Sequence, residues 1–215
     1  MRKTFIGVLW SLLVLAVLGV TLIFTAIAKG WIGYVPPVEE LENPNLKFAT
    51  QIISDDGQLL GTWSYSKENR VYVGYDDLSP HLIKALVATE DVRFSEHSGI
   101  DMRAFFRALI KRGVLMQKNA GGGSTITQQL VKNLFKVRSQ YSTGLMGHIP
   151  GVKLLIMKAK EWITAVKIEM LYSKEEILTM YFNTVDFGSN AFGIKTACHT
   201  YFNTTPDRIT VEQAA

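Results

Sequence analysis

Cysteine is nearly absent from this chain, since Cys198 is the only one in 215 residues. A single thiol excludes an intrachain disulfide and a zinc site built from several cysteines, and we expect it to pack as a small apolar side chain. The four histidines show no pairing at metal-ligand spacing. A P-loop is also excluded, because the glycine run at residues 121–123 is not followed by Lys-Ser or Lys-Thr.

A large excess of charge of one sign is absent too. The 23 basic and 19 acidic residues give a net charge of +4. This charge suits an anionic membrane surface or a phosphorylated substrate and is too diffuse to indicate nucleic-acid binding. Charged residues make up 20% and hydrophobic residues 47% of the chain, which excludes a disordered protein. The length allows one domain once a membrane segment is subtracted.

A long run without charge lies near the N-terminus, at residues 5–28. As a helix it would span roughly 36 Å, enough for a hydrocarbon core of about 30 Å. A cleaved signal peptide is the rival interpretation, because Ala-Ile-Ala at residues 26–28 resembles a cleavage site, but signal peptides have apolar runs of only about 7–15 residues. We expect an uncleaved signal anchor, in which Arg2 and Lys3 keep residues 1–4 in the cytoplasm and the remainder lies outside.

Residues 29–47, which include two adjacent prolines, predict a short stiff linker before a single domain at residues 48–215. A small β-rich piece opens the domain. Residues 48–54 and 58–65 flank an Asp-Asp-Gly turn, and residues 71–73 predict a third short strand.

The rest of the domain predicts a mainly α fold. Ser79 and Pro80 are suited to cap and begin the first helix. Further helices are predicted at residues 102–116, 124–135, 152–172, 174–183 and 191–201. A Ser- and Gly-rich loop is expected at residues 139–151, and the final residues begin a helix without a stop signal, so we expect a domain truncated at its C-terminus.

Glu90 is the first candidate for chemistry. It ends the helix that begins after Ser79, and the helical period places it within about 60° of Ile83, Leu86 and Val87. A carboxylate on this apolar stripe predicts a buried group suited to general acid–base catalysis. On this feature alone, a buried glutamate satisfied by local hydrogen bonds is an equal alternative.

Glu161 is the second candidate. The helical period puts it within about 40° of four apolar residues: Leu154, Met157, Ala165 and Ile168. Most of this predicted helix is apolar all round, which is typical of a central buried helix, and a solvated basic stripe is expected at Lys153, Lys160 and Lys167. Lys158 lies three residues before Glu161, so the two form either an anion-handling pair or an ordinary ion pair.

A third feature is the glycine run at residues 121–123 and the predicted helix that follows it. Four polar residues share one face of that helix: Thr125, Gln128, Gln129 and Lys132. Glycines allow close backbone approach, a helix N-terminus favours anions, and amides suit sugar hydroxyls. On spacing alone, the simpler interpretation is a flexible loop before a solvated helix.

Five segments, in order along the chain, resemble the motifs of one enzyme family. The first is Glu-Asp-Val-Arg-Phe-Ser-Glu-His-Ser-Gly-Ile-Asp at residues 90–101, and the second is Gly-Gly-Ser-Thr-Ile-Thr-Gln-Gln-Leu-Val-Lys-Asn at residues 122–133. The others lie at residues 158–169, 174–183 and 187–202 and begin Lys-Ala-Lys-Glu, Lys-Glu-Glu-Ile-Leu and Phe-Gly. They are similar to the motifs of the family 51 peptidoglycan glycosyltransferases, the polymerase domains of class A penicillin-binding proteins and their monofunctional relatives.

This resemblance implies a lysozyme-like glycosyltransferase domain with a large lobe and a small jaw at the membrane. The substrate would be lipid II, a disaccharide-pentapeptide on undecaprenyl pyrophosphate. Glu90 would act as general base on the GlcNAc 4-hydroxyl, which attacks C1 of the terminal MurNAc with inversion. Glu161 would organise the leaving pyrophosphate, either directly or through a divalent cation such as Mg²⁺ or Mn²⁺ that is not tightly bound.

The resemblance also implies the binding residues and partners. Lys158 and Lys132 would stabilise the pyrophosphate. The remaining residues expected to hold or shape the substrate site are Asp91, Phe94, His97, Ser124, Thr125, Gln128 and Gln129. The expected partners are lipid II, the growing glycan strand, membrane lipid and other cell-wall synthesis proteins, with no nucleic acid. The location would be the cytoplasmic membrane, with a single span and the catalytic domain on its outer face.

The chain departs from the family at Met157, where an arginine usually precedes Lys158, so one phosphate-facing cation is either lost or supplied by Lys153 or Lys160. The loop at residues 139–151 is longer than the family's usual link. A membrane-bound lytic enzyme that cleaves glycan strands is the first alternative function, since it would share the fold and one catalytic glutamate. A non-catalytic tether is the second. A second glutamate beside lysines favours the transferase, because glycan cleavage does not need it.

Overall fold

The structure is a computed structural model, and it describes residues 2–42, 44, 48–63, 70–111, 116, 122–135 and 152–215. Five sequence expectations fall wholly or partly outside these ranges. They are the end of the linker at residues 29–47, the end of the strand at residues 58–65, the last part of the helix at residues 102–116, the start of the glycine run at residues 121–123 and the loop at residues 139–151.

The N-terminal helix α1 (Arg2–Ala28) is apolar and exposed along most of its length. In the described part of the chain it is the one helix long and apolar enough to cross a membrane, from Thr4 to Ala28. Three of its hydroxyls are satisfied within the helix, because Ser11, Thr21 and Thr25 each donate to the carbonyl four residues earlier.

The last turns of α1 pack onto the domain. Ile27 is buried, with 1% of its surface exposed, and the ring of Phe24 lies 6.3 Å from that of Trp162. The segment that we expected to be a stiff linker contains a short helix, α2 (Val38–Glu42), and its Leu41 lies in the main core. The Tyr172 hydroxyl donates to the Leu41 carbonyl at 2.8 Å.

The predicted hairpin is confirmed as strands β1 (Thr50–Ile53) and β2 (Leu59–Trp63), which pair antiparallel with Thr50 opposite Trp63. The predicted third strand at residues 71–73 is wrong: among the described residues the sheet has two strands. Both the N–H and the carbonyl of Val73 are instead bonded by the side-chain amide of Asn183. This contact satisfies the backbone groups that a strand partner would otherwise take.

The remaining described helices are α3 (Pro80–Glu90), α4 (Met102–Leu109), α5 (Ile126–Leu134), α6 (Val152–Leu171), α7 (Lys174–Thr184), α8 (Ile194–Phe202) and α9 (Val211–Ala214). Ser79 caps α3 as predicted, with Pro80 at the first position. The mainly α fold is therefore confirmed. Two starts were misplaced. Thr125 caps α5, and α8 begins at Ile194 because Gly188 and Gly193 take positive φ angles in the turn before it.

Helices α5, α6 and α7 enclose the main core, in which Ile126, Leu130, Ile168 and Ile177 are fully buried. Each such side chain contributes roughly 1.5–3 kcal/mol of transfer free energy. A second cluster includes Cys198, which is 1% exposed, so the expected apolar packing of the thiol is confirmed. The predicted solvated lysine stripe on α6 is wrong at its centre, because Lys160 is completely buried.

Candidate active site

Glu90 is exposed, so the prediction that it is buried is wrong. Leu82, near the start of α3, is buried, whereas the last three residues of the helix, Ala88, Thr89 and Glu90, are all exposed. The apolar stripe therefore meets the core only over the earlier turns. The carboxylate projects beyond them and lines a cavity of about 210 Å³.

Gln129 links the Glu90 carboxylate to the interior. Its amide nitrogen donates to Oε2 of Glu90 at 2.6 Å, and its amide oxygen accepts a hydrogen bond from the Tyr181 hydroxyl at 3.2 Å. Tyr181 is buried on α7 with 6% of its surface exposed. Burial and the nearby Glu90 carboxylate raise the pKa of Tyr181 to about 12, so its hydroxyl carries a proton near neutral pH.

Lys158 and Glu161 form the predicted pair on α6. The Lys158 ammonium lies 2.8 Å from the Glu161 carboxylate, which is 1% exposed. It also donates to the hydroxyl of Ser124 at 2.8 Å and to the amide oxygen of Gln128 at 3.4 Å. The burial of Glu161 predicted from the helical period is confirmed. The Lys158 ammonium thus contacts three side chains, two from the second motif and one from the third.

The helix of the second motif is built into the domain, so the interpretation of a solvated helix is wrong. The glycine run before it begins outside the described residues, at residue 121. Thr125 and Gln128 are each 1% exposed, and both donate to the Gly99 carbonyl, at 2.8 and 3.1 Å. The Thr125 hydroxyl also accepts from the Gln128 N–H as the cap of α5. These bonds fasten the first-motif loop to the start of α5.

Gly99 is required at this junction. Its φ angle is +90°, and a Cβ atom added there would lie 2.8 Å from the Ala165 carbonyl oxygen on α6. Only glycine combines that backbone conformation with so close an approach. The first motif is thus pressed against the third.

Asp91 joins the first motif to the N-terminus of α5. Its buried carboxylate accepts from the Ile126 N–H at 3.1 Å and from Nε2 of His97 at 3.0 Å. His97 accepts the Gly99 N–H at Nδ1, which places the ring proton on Nε2. Asp91 and His97 therefore brace the site beneath Glu90.

A second bracing network lies on the other side of His97. The Lys174 ammonium donates to the His97 carbonyl at 2.7 Å and lies 4.2 Å from the ring centre of buried Phe94. It also pairs with Glu169 at 2.7 Å, and Glu169 accepts from the Thr127 hydroxyl at 2.5 Å. Phe94 thus packs in the core and shapes the first motif from below.

Two arginines that sequence analysis missed line the same cavity as Glu90. Arg93 pairs with Asp101 at 2.6 Å, and Arg107 follows on α4. Burial opposes ionisation of Asp101, but the Ala104 N–H and the Arg93 guanidinium outweigh it and lower the pKa of that carboxyl. Arg93 and Asp101 lie in the irregular segment between α3 and α4, where neither a helical nor a strand period applies, so no sequence signal pointed to their pairing.

Other predicted phosphate-binding residues lie apart from these contacts. Lys132 is exposed on α5, and Lys153 is exposed near the start of α6. Lys160 is completely buried, and burial lowers the pKa of its ammonium. It therefore does not present a cation to a solvent-facing phosphate in place of the arginine absent at Met157.

The described residues of this site do not gather the ligands of a tight cation site. Within the described ranges no group of three or more His, Cys, Asp or Glu side chains could hold a metal ion. An ammonium group already lies 2.8 Å from the Glu161 carboxylate, where it would repel a directly bound cation.

Comparison of the sequence with known proteins identifies the family to which the chain belongs. The family model described as Transglycosylase matches residues 56–215. The chain is 35% identical to penicillin-binding protein 1A of Escherichia coli (strain K12), over 84% of this chain and 19% of the relative. It is 35% identical to penicillin-binding protein 1A of Aquifex aeolicus, over 100% of this chain and 27% of the relative.

A third relative is penicillin-binding protein 1F of Bacillus subtilis, which is 36% identical over 79% of this chain and 22% of the relative. The chain thus spans only about a fifth to a quarter of the length of these curated relatives. The family model covers most of the chain and all five motifs, and the mainly helical fold agrees with the lysozyme-like domain that the motifs implied. The chain belongs to the transglycosylase family of peptidoglycan glycosyltransferases.

Proposed function

We propose that the chain polymerises lipid II into glycan strands at a membrane surface. One observation carries this proposal: a single cavity of about 210 Å³ is lined by the Glu90 carboxylate and by Ser124, whose hydroxyl is bonded to the Lys158 ammonium. A proton acceptor thus lines this cavity, and an anion-stabilising ammonium group lies one hydrogen bond behind its wall. Glycosyl transfer from a pyrophosphate donor requires this combination.

Glu90 is the general base of the proposed reaction. It accepts the proton from the GlcNAc 4-hydroxyl of one lipid II molecule as that oxygen forms a bond to C1 of the terminal MurNAc. The bond from C1 to the pyrophosphate oxygen breaks at the same time, which inverts the configuration at C1. Gln129 donates to the Glu90 carboxylate at 2.6 Å and so positions it for the transfer.

Lys158 stabilises the charge that develops on the leaving pyrophosphate. Its ammonium is held in place by Glu161, Ser124 and Gln128, so little reorganisation is needed when the charge appears. Glu161 acts mainly by holding Lys158. Lys132, exposed on α5, extends the basic surface for the anionic substrate. Any Mg²⁺ or Mn²⁺ that takes part would arrive with the pyrophosphate, because the described residues do not gather the ligands of a tight cation site.

The proposed location is the outer face of a membrane, with α1 as anchor and the N-terminus inside. Contacts between rings join the anchor to the domain, because Trp162 lies 6.3 Å from Phe24 of α1 and 4.9 Å from Phe105 of α4. Large apolar side chains are exposed on α4, just after it and at the start of α6: Phe106, Leu109, Ile110, Leu154 and Leu155. A lipid surface would cover this patch.

The test of this function is incubation of the purified chain with labelled lipid II in detergent, followed by electrophoresis of the products. A ladder of glycan strands is the expected result. A parallel sample contains preformed glycan strands, which should remain uncut. Cleavage of those strands without any ladder would favour the lytic alternative, and binding without turnover would favour a tether.

A further inference from the structure

The exposure of Glu90 poses a question of geometry. A general base must stay within hydrogen-bond reach of the proton that it takes. An exposed glutamate side chain samples several rotamers, and holding it in one of them costs entropy. Another residue of the protein must therefore limit the rotamers that the Glu90 side chain adopts.

Gln129 is the residue that does so directly. Its amide donates to Oε2 of Glu90 at 2.6 Å, so the two side chains are in direct contact. Gln129 is itself only half-buried, and its side chain has three rotatable bonds. A flexible side chain bonded only to another flexible side chain would restrict neither of them.

Tyr181 supplies the rigid end of this chain of bonds. It lies on α7, is 6% exposed and belongs to the main core. Its hydroxyl donates to the oxygen of the Gln129 amide at 3.2 Å, so the amide is held at both ends. The amide oxygen faces the tyrosine and the amide nitrogen faces Glu90, which is the orientation that the carboxylate requires.

We infer that Tyr181 is a positioning residue for the reaction, which holds the Glu90 carboxylate in place through the Gln129 amide without contacting the substrate. This inference rests on the proposed function, in which Glu90 is the base. The tyrosine ring packs in the core, whereas its hydroxyl is the part that orders the active site. The two roles are therefore separable by removing the oxygen alone.

The first experiment is a double-mutant cycle on lipid II polymerisation with the full chain. Tyr181→Phe is expected to lower kcat about tenfold with little change in KM, because orientation of the base matters most in the transition state. In a Gln129→Ala background the same substitution should have almost no further effect. Tyr172→Phe is the matched control, since its hydroxyl bonds to the carbonyls of Leu41 and Glu42 and its loss should leave turnover unchanged.

The second experiment reads the Gln129 side chain without any turnover. The full chain is labelled with ¹⁵N-glutamine in detergent micelles, and the Gln129 amide signals are identified by their loss in Gln129→Ala. Tyr181→Phe should raise the rate of hydrogen exchange of this side-chain amide with solvent several-fold and should lower its NMR order parameter. Tyr172→Phe should change neither quantity.

The outcomes separate this inference from the proposed function. If the wild-type chain makes no glycan but Tyr181→Phe loosens the Gln129 amide, the proposed function fails and the positioning role stands. An amide that is equally ordered in Tyr181→Phe would overturn the positioning role. A tenfold loss that persists in the Gln129→Ala background would overturn it too, because the tyrosine would then act by another route.

Discussion

Lys158 is expected to have two roles: its ammonium neutralises the buried Glu161 carboxylate, and it stabilises the leaving pyrophosphate. A single and a double variant can separate them. Lys158→Met removes the ammonium and keeps most of the apolar stem. The Glu161 carboxylate, which is 1% exposed, then loses a partner at 2.8 Å. Breaking a fully buried ion pair typically costs about 3–5 kcal/mol. Because 31% of the Lys158 side chain is exposed, water reaches that end of the pair, and we expect a cost of about 2 kcal/mol.

A second substitution at Glu161 should restore the stability that Lys158→Met loses, but it should not restore the activity. In the double variant Lys158→Met/Glu161→Gln the buried group is neutral and needs no counter-charge, so most of the stability should return. Turnover should remain at least about 100-fold below wild type in both variants, because a preorganised group that stabilises developing charge is missing.

Denaturant unfolding followed by tryptophan fluorescence gives the stability, and lipid II polymerisation gives the turnover. Two results would refute this view of Lys158. A single variant as stable as wild type would show that Glu161 does not depend on the ammonium. A double variant that polymerises at the wild-type rate would show that Lys158 does not act on the leaving group.

Two further predictions concern the fold around the site. Gly99→Ala should destabilise the domain by about 3 kcal/mol or more, because φ is +90° and the new Cβ would lie 2.8 Å from the Ala165 oxygen. Gly61→Ala, whose Cβ meets nothing within 4 Å, is its control in the same denaturation assay. Burial raises the pKa of the Cys198 thiol from 9.0 to about 11, so the unfolded chain releases this proton first and about 2–3 kcal/mol of stability should be lost as the pH rises from 9 to 11. Cys198→Ala should lack that part of the alkaline loss, and equal losses in both proteins would contradict the assignment.

The two glutamates show what a helical period does and does not predict. Glu161 is buried as predicted because it stands in the middle of α6, a helix that packs against α1, α5 and α7. Glu90 follows the same period but stands in the last turn of α3, past the point where the core ends. A helical period predicts which way a side chain points, but it does not predict how far along the helix the packed core extends.

The hydrogen bonds that join the motifs could not be predicted from helical or strand periods, because they link residues far apart in the sequence. Thr125 and Gly99 are 26 residues apart, and Glu169 and Thr127 are 42 apart, yet each pair is hydrogen-bonded. The motif resemblance placed these residues in one site without saying how they touch. Tertiary contacts also overrode local preference at residues 71–73, where two valines and a tyrosine predicted a strand but the Asn183 amide bonds to Val73.

The most direct measurement is the rate of lipid II polymerisation by Glu90→Gln beside the wild-type chain. Because Glu90 is exposed and the amide keeps an oxygen that can accept from Gln129, this substitution should leave the fold unchanged. It removes the one property that a general base needs, so we expect the rate to fall by about 10²–10⁴-fold with substrate binding retained. A Glu90→Gln chain that polymerises lipid II within a few-fold of the wild-type rate would contradict the assignment of Glu90 as the base.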